Sequence, residues 1–372
     1  MSVSTEMPIH QQQDPPAAAS TASSRGLNVL CIDYGVGFGG ATKSTGLMIR
    51  QLSHVRFHVL TSQDPEIRST WYKDVPVTAF RRIISYHTRG RFAQWLEKHV
   101  RASFARTSAM KLFAAADAIT TVVNTLRISL MIKYRRIDVV HLVNGYVPAE
   151  GLWASRITGV PTIVNMRGFW NGLDPLRPPT ARRNTWLVGD SNAVTRSVPE
   201  HWCVSDRRET IYEAVDVRAI EKASDQRDSV RYRYRVPEDA VLFAILGRVV
   251  PWKGQLNFVR ALIEAMEQDP RIYGMIVGDG PSPYMDDVAR QVAGSSFADR
   301  FILTGYSPEV EPFYAAADVV VHASIEPEPC GMVVLEGMAA RRPVIAARAG
   351  GPIELIRQGI DGMLVEPGDI SA

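Results

Sequence analysis

A run of apolar and β-branched residues, ADVVVHAS (Ala317 to Ser324), is followed after a short loop by GMVVLEGMAARR, whose apolar residues recur at helical spacing up to Pro343. The first run reads as a strand buried on both faces, the pattern of parallel sheets. The second reads as a helix that stops before a proline. The same unit recurs. VLFAILGRVVPWKG (Val241 to Gly254) is a strand, a Gly-Arg turn and a helix start, while IYGMIVGDGP (Ile272 to Pro281) and FILTGY (Phe301 to Tyr306) are strands closing on glycine. ARAGGPIELI (Ala347 to Ile356) is a glycine turn into a helix. Upstream, LNVLCIDYG, RFHVLTS (Arg56 to Ser62), IDVVHLV (Ile137 to Val143) and PTIVNM (Pro161 to Met166) read as strands, with NTWLVGDS and RRETIYEAVDV as late ones. The stretch from Arg81 to Arg136 reads mostly as helix. Strands alternating with helices predict α/β architecture with doubly wound parallel sheets. A chain of 372 residues, 46% apolar and 22% charged, has the length for two domains and the make-up of a soluble globular protein. The expected division is a disordered tail at residues 1–25, a first domain at 26–216 and a second at 217–372. The polar stretch from Glu221 to Asp239 reads as the approach to the second domain.

Chemistry concentrates at the ends of the second domain's strands. Glu328 falls in a strand-to-helix loop, and Glu336 lies further along the same helix, able to face the same ligand. Between them Cys330, Gly331, Met332 and Val333 read as a helix N-terminus, with unpaired N–H groups and a partial positive charge that favour phosphate. Two carboxylates around an anion site suit a sugar nucleotide. Arg248 and Lys253 put two cations into the turn and helix start after the strand that begins at Val241.

Gly35, Gly37 and Gly40 fit G-x-G-x-x-G after the first strand, and Asp64 follows the next strand. This is the nicotinamide dinucleotide signature and supplies an alternative reading as an oxidoreductase, although nothing downstream supplies hydride chemistry. A phosphate P-loop fails because Lys43 follows Thr42 and not glycine. No Asp-x-Asp occurs, against the metal-dependent class of sugar transferases. Cys31, Cys203 and Cys330 have no zinc spacing, and are consistent with a reducing, cytoplasmic setting.

The Glu328 to Glu336 stretch, EPCGMVVLE, resembles the Glu-x7-Glu motif of the family 4 glycosyltransferases, and the Gly-Arg and Lys-Gly spacing of Arg248 and Lys253 matches that family too. The resemblance covers nearly everything from Leu27 onward and is strongest from about Val241. It implies the GT-B fold, two Rossmann-like domains facing across a cleft. It further implies that Glu328 meets the donor sugar, Glu336 holds the ribose hydroxyls, and Arg248 and Lys253 clamp the diphosphate. Gly305 and Tyr306 would lie near the base, with Gly278 at a neighbouring strand end. Gly39 and Gly40 would approach the diphosphate or acceptor from the first domain. Where many members carry histidine, this chain has Arg167 before Gly168. Arg167 would contact donor hydroxyls, phosphate or an anionic acceptor. Where Asn-Gly-Val-Asp is usual, the chain has Glu213 to Asp216, EAVD. The implied activity is retaining transfer of a hexose-type sugar from a UDP- or GDP-sugar to a glycan or lipid-linked glycan, as in cell-surface polysaccharide synthesis, with no cofactor and no metal. Family members usually continue past the position of Ala372 with helices that cross back to the first domain. The resemblance therefore also leaves open a truncated chain, and an inactive sugar-nucleotide-binding protein. It leads us to expect bare apolar surface around Val333 to Met338 and Ile353 to Ile356.

Charge is unevenly placed. The net charge is +3, yet Arg81 to Arg136 holds twelve cations against Glu97 and Asp117, a local net of +10 interleaved with aromatic and aliphatic residues. Such segments suit an anionic membrane surface or an anionic acceptor. Nucleic acid is not expected, because no binding-module motif accompanies the charge. No apolar run approaches the ~20 residues that span a bilayer. Residues 1–25 lack the basic start and apolar core of a signal peptide.

Overall fold

The computed structural model describes residues 26–35, 40–80, 86–100, 103–146, 149–170, 184–203 and 205–372. The expected tail, Gly37, Gly39, Arg81, Arg82 and Arg101 lie outside them. The strands are β1 (Asn28–Asp33), β2 (Arg56–Thr61), β3 (Val77–Ala79), β4 (Val139–Leu142), β5 (Thr162–Met166), β6 (Thr185–Gly189) and β7 (Arg208–Thr210), then β8 (Val241–Leu246), β9 (Ile272–Val277), β10 (Phe301–Gly305), β11 (Val319–His322), β12 (Val344–Ala347) and β13 (Met363–Val365). They form two parallel sheets, ordered β3-β2-β1-β4-β5-β6-β7 and β10-β9-β8-β11-β12-β13. The helices are α1 (Gly40–Gln51), α2 (Pro65–Trp71), α3 (Tyr86–His99), α4 (Ser103–Tyr134), α5 (Glu150–Thr158), α6 (Asn192–Ser197), α7 (Val217–Lys222), α8 (Arg227–Arg233), α9 (Gln255–Gln268), α10 (Ser282–Ala293), α11 (Glu311–Ala316), α12 (Met332–Ala339) and α13 (Pro352–Leu355).

Both sheets are doubly wound, as the alternation of runs predicts. In each, the strand order reverses beside the first strand, between β1 and β4 and between β8 and β11. A parallel sheet opens a crevice outside its strand C-termini at such a reversal, because neighbouring connections leave to opposite faces. The second crevice is bounded by the loops after β8 and β11, the two loops that carry Arg248, Lys253 and Glu328. The second sheet is covered on both faces. One core gathers Leu242, Leu246, Met275, Val320 and Val334, and the other Ile245, Ile276, Phe258 and Leu262.

Three features depart from the sequence reading. First, the stretch from Glu221 to Asp239 is no mere approach. It folds into the end of α7, a 3-10 turn and α8, and packs on α11. Its charge made it look solvated, but two arginines face inward. Arg227 donates to the carbonyls of Ala315, Ala316 and Ala317, each at 3.0 Å. Buried Arg231 donates to Ala240 O at 2.7 Å and Pro237 O at 2.9 Å. Asp318 pairs with both, at 2.5 and 3.0 Å, and also accepts from Leu242 N at 2.8 Å. Second, α4 is long and apolar enough, by length and composition, to cross a membrane, although one side of it is buried in the protein. Third, the expected bare surface is largely covered. Val334 and Ile356 are buried, while Ile353 is exposed.

Asp318→Ala leaves Arg231 charged, buried and short of its carboxylate, an arrangement worth roughly 3–5 kcal/mol of destabilisation. The expected outcome is a lower unfolding midpoint for the second domain in a urea titration followed by tryptophan fluorescence. An unchanged midpoint would show that the carbonyls of Ala240 and Pro237 suffice for Arg231.

Candidate functional site

The second crevice is built around one buried carboxylate. Glu328 is 6% exposed, and its backbone is fixed by a bridge to Gly350 and by Gly351 N donating to its carbonyl at 2.8 Å. Its Oε1 accepts from Lys253 Nζ, and from Ser324 Oγ at 2.6 Å. His322 Nε2 lies 3.0 Å from the same oxygen, without hydrogen-bond alignment. Burial alone would push this carboxyl up, but His322 and Lys253 outweigh it and hold it well below the usual carboxylate range. Lys253 also sits over the Trp252 ring, 4.6 Å from its centroid. The Gly-Arg turn and the 3-10 turn at Pro251–Lys253 therefore deliver a lysine to a carboxylate that β11 delivers from the other side.

Arg248 is exposed at this edge, its carbonyl held by Gln255 Nε2 at 3.0 Å. Gly278 explains how the neighbouring strand ends approach one another. Its φ is 141°, and a Cβ there would stand 1.9 Å from Gly247 O. Any side chain would push β9 off the Gly-Arg turn. Gly278 N in turn donates to Gly305 O at 2.9 Å, and Tyr306 beyond it is exposed.

Glu336 is 7% exposed and fully engaged. Tyr314 OH donates to Oε2 at 2.7 Å, and Lys43 Nζ donates to Oε1 at 2.9 Å and to Glu311 at 3.2 Å. Lys43 comes from α1 of the first domain, so this contact spans the cleft. Burial works against its charge, but Glu336 and Glu311 outweigh that and raise its pKa. Tyr314, buried beside the same carboxylates, stays a phenol and a donor.

The anion site differs slightly from its expected outline. The helix starts at Met332, with Gly331 capping it at φ 90°, so Cys330 lies before the helix and not within its first turn. The first intrahelical bond runs from Val334 N to Gly331 O at 2.9 Å, after the N–H groups of Met332 and Val333. Cys330 is buried, and burial first, then nearby Asp190, Glu213 and Glu328, push its thiol to about 12. Met332 meets Gly40 at the head of α1, since a Cβ at Gly40 would stand 3.3 Å from Met332 Cγ. Gly39 is outside the described residues.

Arg167 is not a free anion binder. Its guanidinium pairs with Glu213 at 2.6 Å and donates to Ser44 Oγ at 3.2 Å, while Ser44 Oγ also bonds Glu213. Arg167 and Glu213, far apart in sequence, thus meet as an ion pair. Arg167 also lines a cavity of about 250 Å³ with Asn144, Tyr146, Met166, Phe169 and Trp170. Beside this pair Asp190 is 4% exposed, and its Oδ1 has no hydrogen-bond partner. Burial first, then Glu213, push its carboxyl up to about 7, against the pull of Arg167.

Sequence reasoning did not name Lys43, His322, Ser324, Glu213 or Asp190 as site residues. His322 and Ser324 had a signal, polar residues closing an otherwise apolar buried strand. Lys43 was weighed only as a P-loop lysine, and its partners are about 270 and 290 residues away. Among the described residues no group of three or more His, Cys, Asp or Glu side chains is arranged to hold a metal ion.

Comparison with known proteins places the chain among glycosyltransferase-like sequences and folds. Residues 240–372 match the family model described as Glycosyl transferases group 1. The chain is 34% identical over 139 residues to the lipopolysaccharide core biosynthesis glycosyltransferase LpsE of Rhizobium meliloti, covering 37% of this chain and 39% of that one. It is 32% identical over 166 residues to the GDP-mannose-dependent alpha-(1-6)-phosphatidylinositol monomannoside mannosyltransferase of Mycolicibacterium smegmatis, covering 42% of this chain and 43% of that one. The chain thus spans less than half the length of these two relatives. The Anabaena protein HepE, crystallised with UDP and glucose, superimposes over 93% of this chain and 87% of its own with a TM-score of 0.70 at 20% identity. That likeness establishes the fold, two Rossmann-like parallel-sheet domains in the GT-B arrangement.

Asp190 supplies a pH-dependent test of its own burial beside Glu213. Its folded pKa stands above its unfolded one, so the folded state keeps a proton that the unfolded chain gives up between about pH 4 and 7. The contribution of Asp190 to stability therefore falls as pH rises through that window. Asp190→Asn should melt close to the wild type near pH 4 and increasingly above it toward pH 7, by an energy on the order of a few kcal/mol. Parallel melting profiles across that range would remove the buried, protonated state from the account.

Proposed function

We propose that the protein is a retaining glycosyltransferase of the family 4 type. It transfers a hexose-type sugar from a UDP- or GDP-sugar to a hydroxyl of a glycan or lipid-linked glycan, on the cytoplasmic side, as in cell-surface polysaccharide synthesis. The observation that carries this reading is the Glu328 carboxylate held ionised against Lys253 at the strand-order reversal of the second sheet, with Arg248 exposed on the same edge. The relatives' names support the substrate class. One names lipopolysaccharide core, another a GDP-mannose donor and a phosphatidylinositol-based acceptor, and the solved neighbour holds UDP and glucose.

The chemistry follows from charge. Breaking the bond between the anomeric carbon and the diphosphate oxygen leaves positive character on the sugar and negative charge on the diphosphate. Arg248 and Lys253 supply countercharge to the diphosphate, and the N–H groups of Met332 and Val333 aim at the same region. Glu328 stabilises the positive sugar. The acceptor oxygen attacks from the face the diphosphate leaves, and its proton passes to the departing phosphate oxygen. Glu336 binds the ribose through the lone-pair sites that Lys43 and Tyr314 leave on its two oxygens. The nicotinamide alternative rests on the Gly35 to Gly40 spacing alone, and an inactive binding protein would bind donor without releasing nucleotide.

Substitutions separate these roles. Arg248→Ala removes a charge-assisted hydrogen bond worth about 1.5–3 kcal/mol, so donor affinity should fall roughly 10- to 150-fold. A panel of UDP- and GDP-sugars scored by thermal shift and nucleotide release measures it, and unchanged affinity and turnover would refute the clamp. Glu328→Gln should lower kcat far more than donor affinity, because its charge matters most as the transition state forms. Glu336→Ala should instead weaken binding of both nucleotide and donor. Full turnover in both variants would sink the two-carboxylate assignment.

Countercharge from Arg248, Lys253 and a helix end leads to one more expectation. Transfer should survive EDTA, and strict dependence on added Mg²⁺ or Mn²⁺ would contradict the role given to those cations.

A further inference from the structure

The outer face of α4 is turned inside out relative to an ordinary surface helix. Its inward side buries Thr121, Asn124, Thr125, Ile128, Ser129 and Ile132. Its outward side carries Phe104, Leu112, Ile119, Val122, Leu126 and Leu130, between 54% and 84% exposed. At about 100° per residue these six fall within an arc of roughly 80°, on the side away from the buried set. Exposed Lys111 borders one edge of the stripe, exposed Arg127 lies beyond the other, and exposed Lys133 stands within it near the helix C-terminus. A continuous apolar stripe of this kind is rare on a protein surface left to water.

We infer that this face docks on an anionic lipid bilayer, with the stripe immersed at the headgroup boundary and these cations on lipid phosphates. Charge decides the occupant. Helix α4 carries Arg106, Lys111, Arg127 and Lys133 against Asp117 alone, a net +3. Two copies packed face to face would bring like charges together, whereas anionic lipid neutralises them. The helix lies along the surface and does not cross it, because its inward side packs on α5 and sends Ile128 and Ile132 into the first domain's core. This inference stands on α4 and needs nothing from the donor site.

Vesicle sedimentation of the full chain tests it, using phosphatidylcholine vesicles with and without phosphatidylglycerol. Sedimentation with the anionic vesicles only, reversed by high salt, is expected. Ile119→Asp/Leu126→Asp/Leu130→Asp should weaken binding by about tenfold or more, as should Lys111→Gln/Arg127→Gln/Lys133→Gln. Both act at exposed positions and should leave the melting temperature unchanged. Equal binding to neutral vesicles, no binding to either, or undiminished binding by the aspartate variant would overturn the proposal. So would a lipid-free oligomer that the aspartate variant dissolves, since the face would then be a protein interface.

Discussion

The ion pair of half-buried Lys253 with buried Glu328 is the contact on which the second domain's site depends. A carboxylate 6% exposed is unfavourable by itself, and so is a lysine beside it with no partner. Each is tolerable because the other is there. They meet because the sheet order puts β8 next to β11, so loops distant in sequence leave the sheet side by side. Ser324 and His322, from the end of β11 and just beyond it, complete the surroundings of the same oxygen. The result is a charge fixed before any ligand arrives, which is the condition under which a site stabilises developing charge without reorganising.

The two domains meet through a second set of charges, and these are of a different kind. Glu354 of α13 reaches across to the head of α6, accepting from Asn192 N at 2.9 Å and Ala193 N at 2.8 Å. Tyr212 OH donates to the same carboxylate at 2.8 Å. Lys43 bridges from α1 to Glu336 and Glu311. Contacts of this sort are directional and exchangeable, unlike the aliphatic packing inside each sheet. A cleft closed by polar contacts can open without exposing a hydrophobic core, and domain motion is the ordinary behaviour of such interfaces.

Much of the fold was legible because parallel strands announce themselves. ADVVVHAS, VLFAILG and IYGMIVG are continuous apolar runs that no surface element would carry, and each became a strand at its expected place. The three-residue β3 escaped notice because VTA is too short to show a period. The helical character of α8 was hidden by arginines that look solvated in sequence, although Arg231 is buried and Arg227 half-buried. Glu328, Lys253 and Glu336 stand on the elements expected of them, in the loops after β11 and β8 and on α12, because those strands and that helix were themselves legible. Lys43, Glu213 and Asp190 were not, because what gives them meaning is a partner in another element: Glu336 for Lys43, Arg167 for Glu213, and the buried surroundings of Glu213 for Asp190.

The position of Lys43 ties the interface to the site. Under the proposed function, Glu336 receives the ribose hydroxyls, yet one of its oxygens holds Lys43 and the other Tyr314. The carboxylate has about four lone-pair sites and only one bond on each oxygen, so ribose hydroxyls can join Lys43 and Tyr314 on it. Under the proposed function the donor and the first domain's lysine then meet on one carboxylate, which puts donor binding and the inter-domain contact on the same side chain. Lys43, paired also with Glu311, adds a half-buried cation to this side of the cleft.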